Sequence, residues 1–180
     1  MTQQPEFSRP FRIDSLGPES RSVEIEADEA ERAALASRFG LPAIHRLVAH
    51  AALTTKGQTV VAEGRLSASV TQSCVATADP VEAELDEPFR IEFRPQPTEA
   101  GAEDEIELSE SELDVVFYDG AAIDLGEAAA ETLSLSLDPW PRAPGADSVL
   151  REAGVKGEEE AVAEASPFAA LAGLKDKLGK

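Results

Sequence analysis

The chain contains few side chains of the types that act as nucleophiles or metal ligands. It has one cysteine, Cys74, and two histidines, His45 and His50. A catalytic thiol needs a histidine as its base, and one cysteine cannot form a disulfide within the chain or a multi-cysteine metal site. Both histidines fall on one predicted strand, five residues apart, so alternation predicts that they point to opposite faces. At most one could reach any given site, and we predict structural or surface roles for all three residues.

Three acidic side chains near the middle of the chain could in principle hold a hard cation, namely Asp119, Asp124 and Glu127. The same residues are explained without a metal as a turn residue, a helix N-cap and a capping-box partner. The sequence also lacks a P-loop, a dinucleotide-binding fingerprint and a zinc-protease motif. We therefore expect no catalytic site, no metal and no cofactor. An enzyme acting on RNA is the alternative from a different functional class.

The charge of the chain favours basic partners. Its 180 residues include 16 Lys and Arg and 35 Asp and Glu, a net charge of −19. Residues 95–141 contain 13 Asp and Glu and no Lys or Arg, including Glu103, Asp104, Glu105 and Glu107. Nucleic-acid-binding proteins usually carry a basic stripe, because neutralising phosphates drives their affinity. An acidic surface instead attracts basic proteins, although solubility alone is the alternative explanation.

Arg65, Arg90 and Arg94 are the residues that could contact RNA directly. They occupy the polar faces of two predicted strands and could form a small basic patch. The alternative, which we favour, is cross-strand pairing with Glu63 and Glu92.

Period-two alternation defines the elements that must position these residues. From Val60 to Cys74, apolar side chains fall on one face and polar ones on the other, with Gln72 as the exception. Gly64 indicates a bulge or bend in so long a strand. Antiparallel pairing of neighbouring strands is the simplest arrangement. Further strands are predicted at residues 22–26, Ile44–Thr55, Val81–Leu85, Phe89–Phe93 and Leu113–Phe117.

Capping patterns predict two helices. Asp28 followed by Glu31 forms a capping box for a helix over Ala30–Phe39, which Gly40 ends. A second helix is predicted over Leu125–Leu137, and Pro139-Trp140-Pro141 ends it. Its predicted caps are Asp124 and Glu127.

These elements predict an α+β domain over residues 1–141, with a twisted, mainly antiparallel sheet packed by two helices. Residues 95–112 are predicted to form an acidic loop, and residues 142–165 a flexible linker, because large apolar residues are scarce there.

The C-terminal residues 166–180 change character again. Ser166 and Pro167 suit the N-cap and first position of a helix. So short a helix is marginal in water, so we expect it to fold on binding an assembly partner, with docking on its own domain as the alternative. The residues proposed for that contact are Phe168, Leu171, Leu174 and Lys175, with Leu178 continuing the helical spacing.

Six stretches spread along most of the chain together resemble one protein family. They are Glu6–Pro10, Glu31–Leu41, Gly64–Val81, Ile123–Glu127, Asp138–Arg142 and Pro167–Lys175. In this order they resemble the YceD family of large ribosomal RNA subunit accumulation proteins, in its alphaproteobacterial form. Many members of that family carry a Cys-x-x-Cys where this chain has Cys74-Val75-Ala76-Thr77, and Thr77 cannot supply a zinc thiolate.

The resemblance implies a non-enzymatic role in the synthesis, processing or stability of 23S ribosomal RNA and in large-subunit assembly. Two mechanisms are open: contact with the ribosomal RNA precursor through the arginines or the tail, or escort of a basic ribosomal protein by the acidic residues. The start of the sequence lacks a secretory signal, and no apolar run reaches the ~18 residues that span a bilayer. We therefore expect a cytoplasmic protein with no membrane partner.

Overall fold

The computed structural model describes residues 5–97 and 114–155 and shows a strand-rich α+β fold. Five strands form one sheet in the order β2-β3-β4-β5-β6, antiparallel except for the parallel pair β5 and β6. β1 and β7 form a separate antiparallel pair. The predicted α+β class with a mainly antiparallel sheet is confirmed. The strands are β1 (Pro10–Arg12), β2 (Arg21–Glu26), β3 (Ala43–Lys56), β4 (Thr59–Ser73), β5 (Pro80–Pro95), β6 (Asp114–Tyr118) and β7 (Ala122–Asp124), and the helices are α1 (Glu29–Phe39), α2 (Leu125–Ser136) and α3 (Ala146–Glu152).

The long alternating segment becomes the central strand, β4. Its apolar side chains, such as Leu66 and Val70, are fully buried in the core. Leu35 of α1 and Leu133 of α2 belong to the same core cluster, so both helices cover one face of the sheet. Burying each such side chain contributes roughly 1.5–3 kcal/mol. The opposite face, called here the open face, carries the alternating polar side chains of β2–β5.

The two alternating segments on either side of Pro88 form one continuous strand, β5, instead of two. Proline cannot donate a ladder hydrogen bond, so it is tolerated only where one side of its strand is unpaired. In the described part of the chain, β6 pairs with β5 only from Ile91 to Pro95. Pro88 therefore lies beyond the reach of β6, where a missing donor costs little.

A register shift at the start of β3 overturns the prediction that the two histidines face opposite ways. Ile44 pairs with Val70, but Arg46 pairs with Ser69, so one strand carries an extra residue there. A bulge of this kind reverses the alternation that follows it. His45 and His50 consequently both lie on the open face, and that prediction was wrong.

The predicted bulge at Gly64 is absent, because the register of β4 is continuous through this residue. Gly64 instead marks a close approach between strands. A Cβ atom at this position would lie 1.9 Å from the carbonyl oxygen of His50 and 2.8 Å from the Cα of Ala51. Only glycine fits where β3 and β4 come this close.

The predicted helix caps are confirmed except at one residue. Asp28 and Glu31 form the full capping box of α1, and Gly40 ends that helix in the left-handed conformation, with φ of 67°. Asp124 caps α2 by accepting hydrogen bonds from the first turn. Glu127, predicted as the capping-box partner of Asp124, instead binds the side chain of Arg38.

The segment predicted as a linker contains a helix in its described part. α3 follows a turn at Gly145, and Ala143 and Ala146 are buried against Cys74. The contact is made by alanine methyl groups, so the scarcity of large apolar residues conceals it. Residues 156–165 and the predicted C-terminal helix lie outside the described residues, as does most of the predicted acidic loop.

Candidate partner-binding surfaces

An N-terminal network of charged side chains fixes the start of the chain against α1 and α2. The guanidinium of Arg9 donates to both carboxylate oxygens of Glu31, at 2.6 and 2.8 Å, and to the carbonyl of Glu26. Asp124 accepts the backbone N–H of Arg9 at 2.8 Å. Alternation and capping rules gave no signal for this network, because its partners are far apart in sequence.

Arg38 supplies a second link in the N-terminal network. It binds Glu127 through two hydrogen bonds, at 2.8 and 3.0 Å, and Glu6 through one at 3.0 Å. Three of the stretches that carry the family resemblance therefore meet here: the N-terminal segment, the first helix and the start of the second. Their charged residues join the segments of the fold to each other.

The three arginines proposed for RNA contact all lie on the open face, each beside a carboxylate. Arg65 binds Asp86 at 2.8 Å, so its partner is on β5 and is not Glu63. In the other two pairs, Arg90 lies 3.4 Å from Glu63 and Arg94 lies 2.6 Å from Glu92. Two of the three pairs are cross-strand, as the alternative predicts, and Arg94 pairs within β5, so no cluster of unpaired arginines is left at these three positions.

Because of the bulge in β3, His45 and His50 both lie on the open face, which the sequence pattern did not predict. His45 Nε2 lies 2.7 Å from the hydroxyl of Thr71 and 3.4 Å from a carboxylate oxygen of Glu82. His50 Nδ1 lies 3.1 Å from a carboxylate oxygen of Glu24. The open face is thus a mosaic in which basic and acidic groups alternate at close range.

A second exposed surface, called here the apolar groove, lies at the end of the molecule where α1, β4 and α2 finish. It has a volume of about 550 Å³. Its apolar lining is formed by Phe39, Leu41, Val75, Leu135, Leu137, Pro139 and Pro141. Leu135 is 82% exposed and Val75 53% exposed, and Trp140, between the two prolines, is 72% exposed. Exposed apolar clusters of this kind mark interaction sites.

Two long-range hydrogen bonds and one local hydrogen bond hold the walls of the apolar groove. The side chain of Gln72 donates to the carbonyl of Asp138 at 2.8 Å. The backbone N–H of Val75 donates to the carbonyl of Pro141 at 2.9 Å, and that of Trp140 to the Asp138 carboxylate at 2.8 Å. Gln72, the exception in the alternating pattern of β4, is buried because it makes this contact. The groove is therefore formed before any partner arrives.

Cys74 adjoins the groove but is buried, as the alternating pattern predicts. It starts a tight turn in which its own carbonyl accepts the N–H of Ala78, a residue with φ of 62°. Hydrogen bonds to the sulfur, first from the backbone N–H of Ala143 and then from the hydroxyl of Thr77, lower the pKa of Cys74 to about 7. Thr77 thus touches the sulfur from the position that a second cysteine would occupy in a Cys-x-x-Cys.

The described residues contain no group of three or more His, Cys, Asp and Glu side chains that could hold a metal ion. Asp119, Asp124 and Glu127 do not come together as a cluster. In the same part of the chain, no helix is long and apolar enough to cross a membrane.

The other proposed contact residues all fall outside the described ranges. These are Glu103, Asp104, Glu105, Glu107, Phe168, Leu171, Leu174 and Lys175.

The fold and these surfaces define an acidic α+β domain. The chain belongs to the YceD family: the model for "Large ribosomal RNA subunit accumulation protein YceD" matches residues 62–175, more than half of its length. The family prediction is confirmed, and with it a role in the accumulation of large-subunit ribosomal RNA. No curated protein and no solved structure matches the chain. The family match runs from the centre of β4 through the C-terminal stretch that ends at Lys175.

Proposed function

We propose that this protein promotes the accumulation of 23S ribosomal RNA in the bacterial cytoplasm by binding a basic protein of the large subunit, without catalysing a reaction. Membership of the YceD family is the observation that carries the proposal. The family description names an accumulation factor, and the described residues offer contact surfaces. The choice of a protein partner over RNA depends on the distribution of charge.

The paired arginines of the open face favour a protein partner. An RNA phosphate approaching Arg65 would have to displace Asp86, and the displaced carboxylate would then lie beside the phosphate. Exposed ion pairs contribute only about 0–1 kcal/mol each, so breaking them is cheap. The repulsion between the freed carboxylates and a polyanion remains, however, and the net charge of −19 adds to it at long range.

The acidic residues from Pro95 to Asp138 are the proposed docking surface for the basic protein. Strands β5 and β6 are parallel neighbours, so the intervening segment leaves the sheet after Pro95 and returns to it at Asp114, beside Ile91. With no Lys or Arg between residues 95 and 141, its charge is not neutralised by neighbours in sequence. Its field accelerates encounter with a cationic protein within about one Debye length, ~10 Å in 0.1 M salt.

Charge neutralisation at matched positions tests this surface. One variant changes Glu103, Glu105 and Glu107 to Gln and Asp104 to Asn. A control variant changes four carboxylates elsewhere to Gln and removes the same amount of charge. The control positions are Glu158, Glu159, Glu160 and Glu164.

Crosslinking and pulldown from growing cells, with both protein and RNA identified, provide the readout. We expect the parent and the control to retain a basic large-subunit protein in a salt-sensitive manner, and the first variant to lose it. Equal recovery with both variants would show that the acidic segment is only solvated. A deletion strain should also accumulate subunit precursors, and unchanged ribosome profiles in cold and warm growth would contradict the role itself.

Direct contact with the ribosomal RNA precursor is the second candidate, and the gathering of Arg65, Arg90 and Arg94 on the open face favours it. In the same pulldown, replacing these three arginines with Gln should then remove RNA and leave protein partners unchanged. Incubation of the purified protein with ribosomal RNA precursor and divalent metal tests the enzyme alternative, which specific cleavage or modification would support.

A further inference from the structure

We propose that the apolar groove is the docking site of the chain's own C-terminal segment, residues 166–180. The groove is a preformed apolar cleft that no described residue covers. The C-terminal segment carries an apolar stripe that could cover it. This inference is independent of the proposed function, because it concerns a contact within one chain.

The exposed side chains around the groove show that the described fold leaves it uncovered. Leu135 projects from the outer side of α2, and Trp140 stands between two prolines that line the cleft. Burying a leucine side chain contributes about 1.5–3 kcal/mol relative to leaving it in water. An apolar segment that covers Leu135 and Val75 buries these side chains together with its own, and this shared burial opposes the entropy cost of ordering a short helix.

The C-terminal segment has the pattern that such a cleft requires. Phe168, Leu171, Leu174 and Leu178 follow helical spacing, so a helix would present them on one side. A helix of this length is marginal in water on its own. Contact with an apolar groove is the usual source of the missing stability.

The chain leaves the described fold close to the groove. α3 is anchored through Ala143 and Ala146 to Cys74, whose neighbour Val75 lines the groove. From the last described residue, Val155, ten residues lead to Ser166 and span at most about 36 Å. From Ala146 to Val155, the helix and the turn that ends it extend only about 15 Å from that anchor, at 1.5 Å per residue. The segment can therefore fold back onto the groove.

The tether also raises the local concentration of the segment. Short flexible linkers give effective concentrations in the millimolar range, so even a weak contact is largely formed within one chain. A second molecule would have to reach that concentration in solution to compete.

Negative charge near the groove and positive charge in the C-terminal segment also complement each other. Asp138 lines the groove, and Glu131 lies one turn before Leu135 on the same side of α2. Burial, together with the negative charge of Glu127, raises the pKa of Glu131. A lysine such as Lys175 brought to this rim would offset that unfavourable potential.

The chain's single tryptophan, Trp140, is exposed and lies between two prolines that line the groove, so its fluorescence is the probe for this contact. In the full-length protein, one variant changes Phe168, Leu171 and Leu174 to Ser, and a matched control changes Ala169, Ala170 and Ala172 to Ser. We expect the parent and the control to show blue-shifted emission and weak acrylamide quenching. The stripe variant should show emission shifted to the red and quenching increased about twofold, because its docked fraction falls.

Changes on the groove side provide an independent check. Leu135→Ser removes an exposed side chain, so it should leave the fold intact while raising the quenching of Trp140 as the stripe variant does. Phe117→Ser, at another exposed apolar position on β6, is the control and should have no effect. Identical quenching in the parent and the stripe variant would overturn the proposal.

A photocrosslinker at position 135 identifies the occupant. Crosslinks within one molecule to residues 166–180 support the proposal. Crosslinks that join two molecules, with protection of Trp140 that disappears on dilution, would assign the groove to a second copy and overturn it. Crosslinks to other cellular proteins alone would assign it to a separate partner and overturn it as well.

Discussion

The N-terminal network and the open face both consist of arginine–carboxylate pairs, but the Arg9–Glu31 pair and the Arg65–Asp86 pair differ in burial. In the network, Arg9 and Glu31 have side chains only 32% and 18% exposed, and Arg9 also donates to two backbone carbonyls. On the open face, Arg65 and Asp86 are 55% and 64% exposed. Partly buried groups with several hydrogen bonds are costly to separate, whereas exposed pairs are screened by water. The Arg9–Glu31 pair therefore stabilises the fold, whereas the Arg65–Asp86 pair can exchange its partners.

The largest expected loss of stability comes from Gly126→Ala, which disturbs the packing of the N-terminal segment on α2. A Cβ at Gly126 would lie 2.5 Å from the carbonyl oxygen of Phe7 and 2.9 Å from the backbone nitrogen of Arg9. Gly126→Ala must therefore push the N-terminal segment away from α2, and we expect a loss of about 3 kcal/mol or more in unfolding free energy. Urea denaturation measures this loss.

Gly17→Ala is the matched control, because its Cβ would meet nothing closer than 3.9 Å. It should change the unfolding free energy by less than about 1 kcal/mol. Similar values for the two alanine variants would show that the N-terminal segment is not fixed where the structure places it.

A smaller effect is expected from Glu31→Gln, which leaves Arg9 without its charged partner and weakens the capping box of α1. We expect a loss of about 2 kcal/mol at neutral pH. Glu29→Gln, in the exposed first turn of the same helix, is the control.

The effect of Glu31→Gln should depend on pH in one direction. Hydrogen bonds from Arg9 lower the pKa of Glu31 below its ordinary value of 4.5. A lowered pKa in the folded state gives stability that is present above 4.5 and is lost as the pH falls through the lowered value. The parent and the variant should thus converge in stability under acid conditions. A difference that persists unchanged at low pH would exclude the ion pair as its source.

The smallest effect is expected on the open face. Arg65→Gln breaks a pair exposed to water, so the unfolding free energy should fall only slightly, and added salt should reduce even that difference. Denaturation at low and high salt measures both quantities. If Arg65→Gln lost as much unfolding free energy as Glu31→Gln does, the two pairs would not differ in their contribution to stability.

Local patterns predicted the elements well, because the signals lie within a few residues of one another. Period-two alternation located β4 nearly to the residue, and Asp28, Glu31 and Gly40 gave both ends of α1. The burial of Cys74 followed from the same alternation. All three candidate arginines were predicted on the correct face. Glu63 and Glu92 were correctly predicted as partners of these arginines, whereas Asp86, the partner of Arg65, was not predicted.

The remaining features depended on contacts that no local pattern encodes. The extra residue near His45 leaves no sequence signal, yet it moves both histidines to one face. α3 was predicted as linker because its contacts with Cys74 use alanine methyl groups. The apolar groove was missed because its lining comes from three separate segments, which only the packing of α1 and α2 on the sheet brings together.

The sequence by itself determined the strand and helix positions, the acidic charge and the family, since these depend on residue types and short-range spacing. The tertiary structure alone decided which charges neutralise each other and which apolar side chains stay in water. Glu127 shows the reason: its position suits a capping box, but Arg38, 89 residues away, offers a charged partner once the helices pack. A bond to a charged group is stronger than the local alternative, so the global fold overrides the local preference.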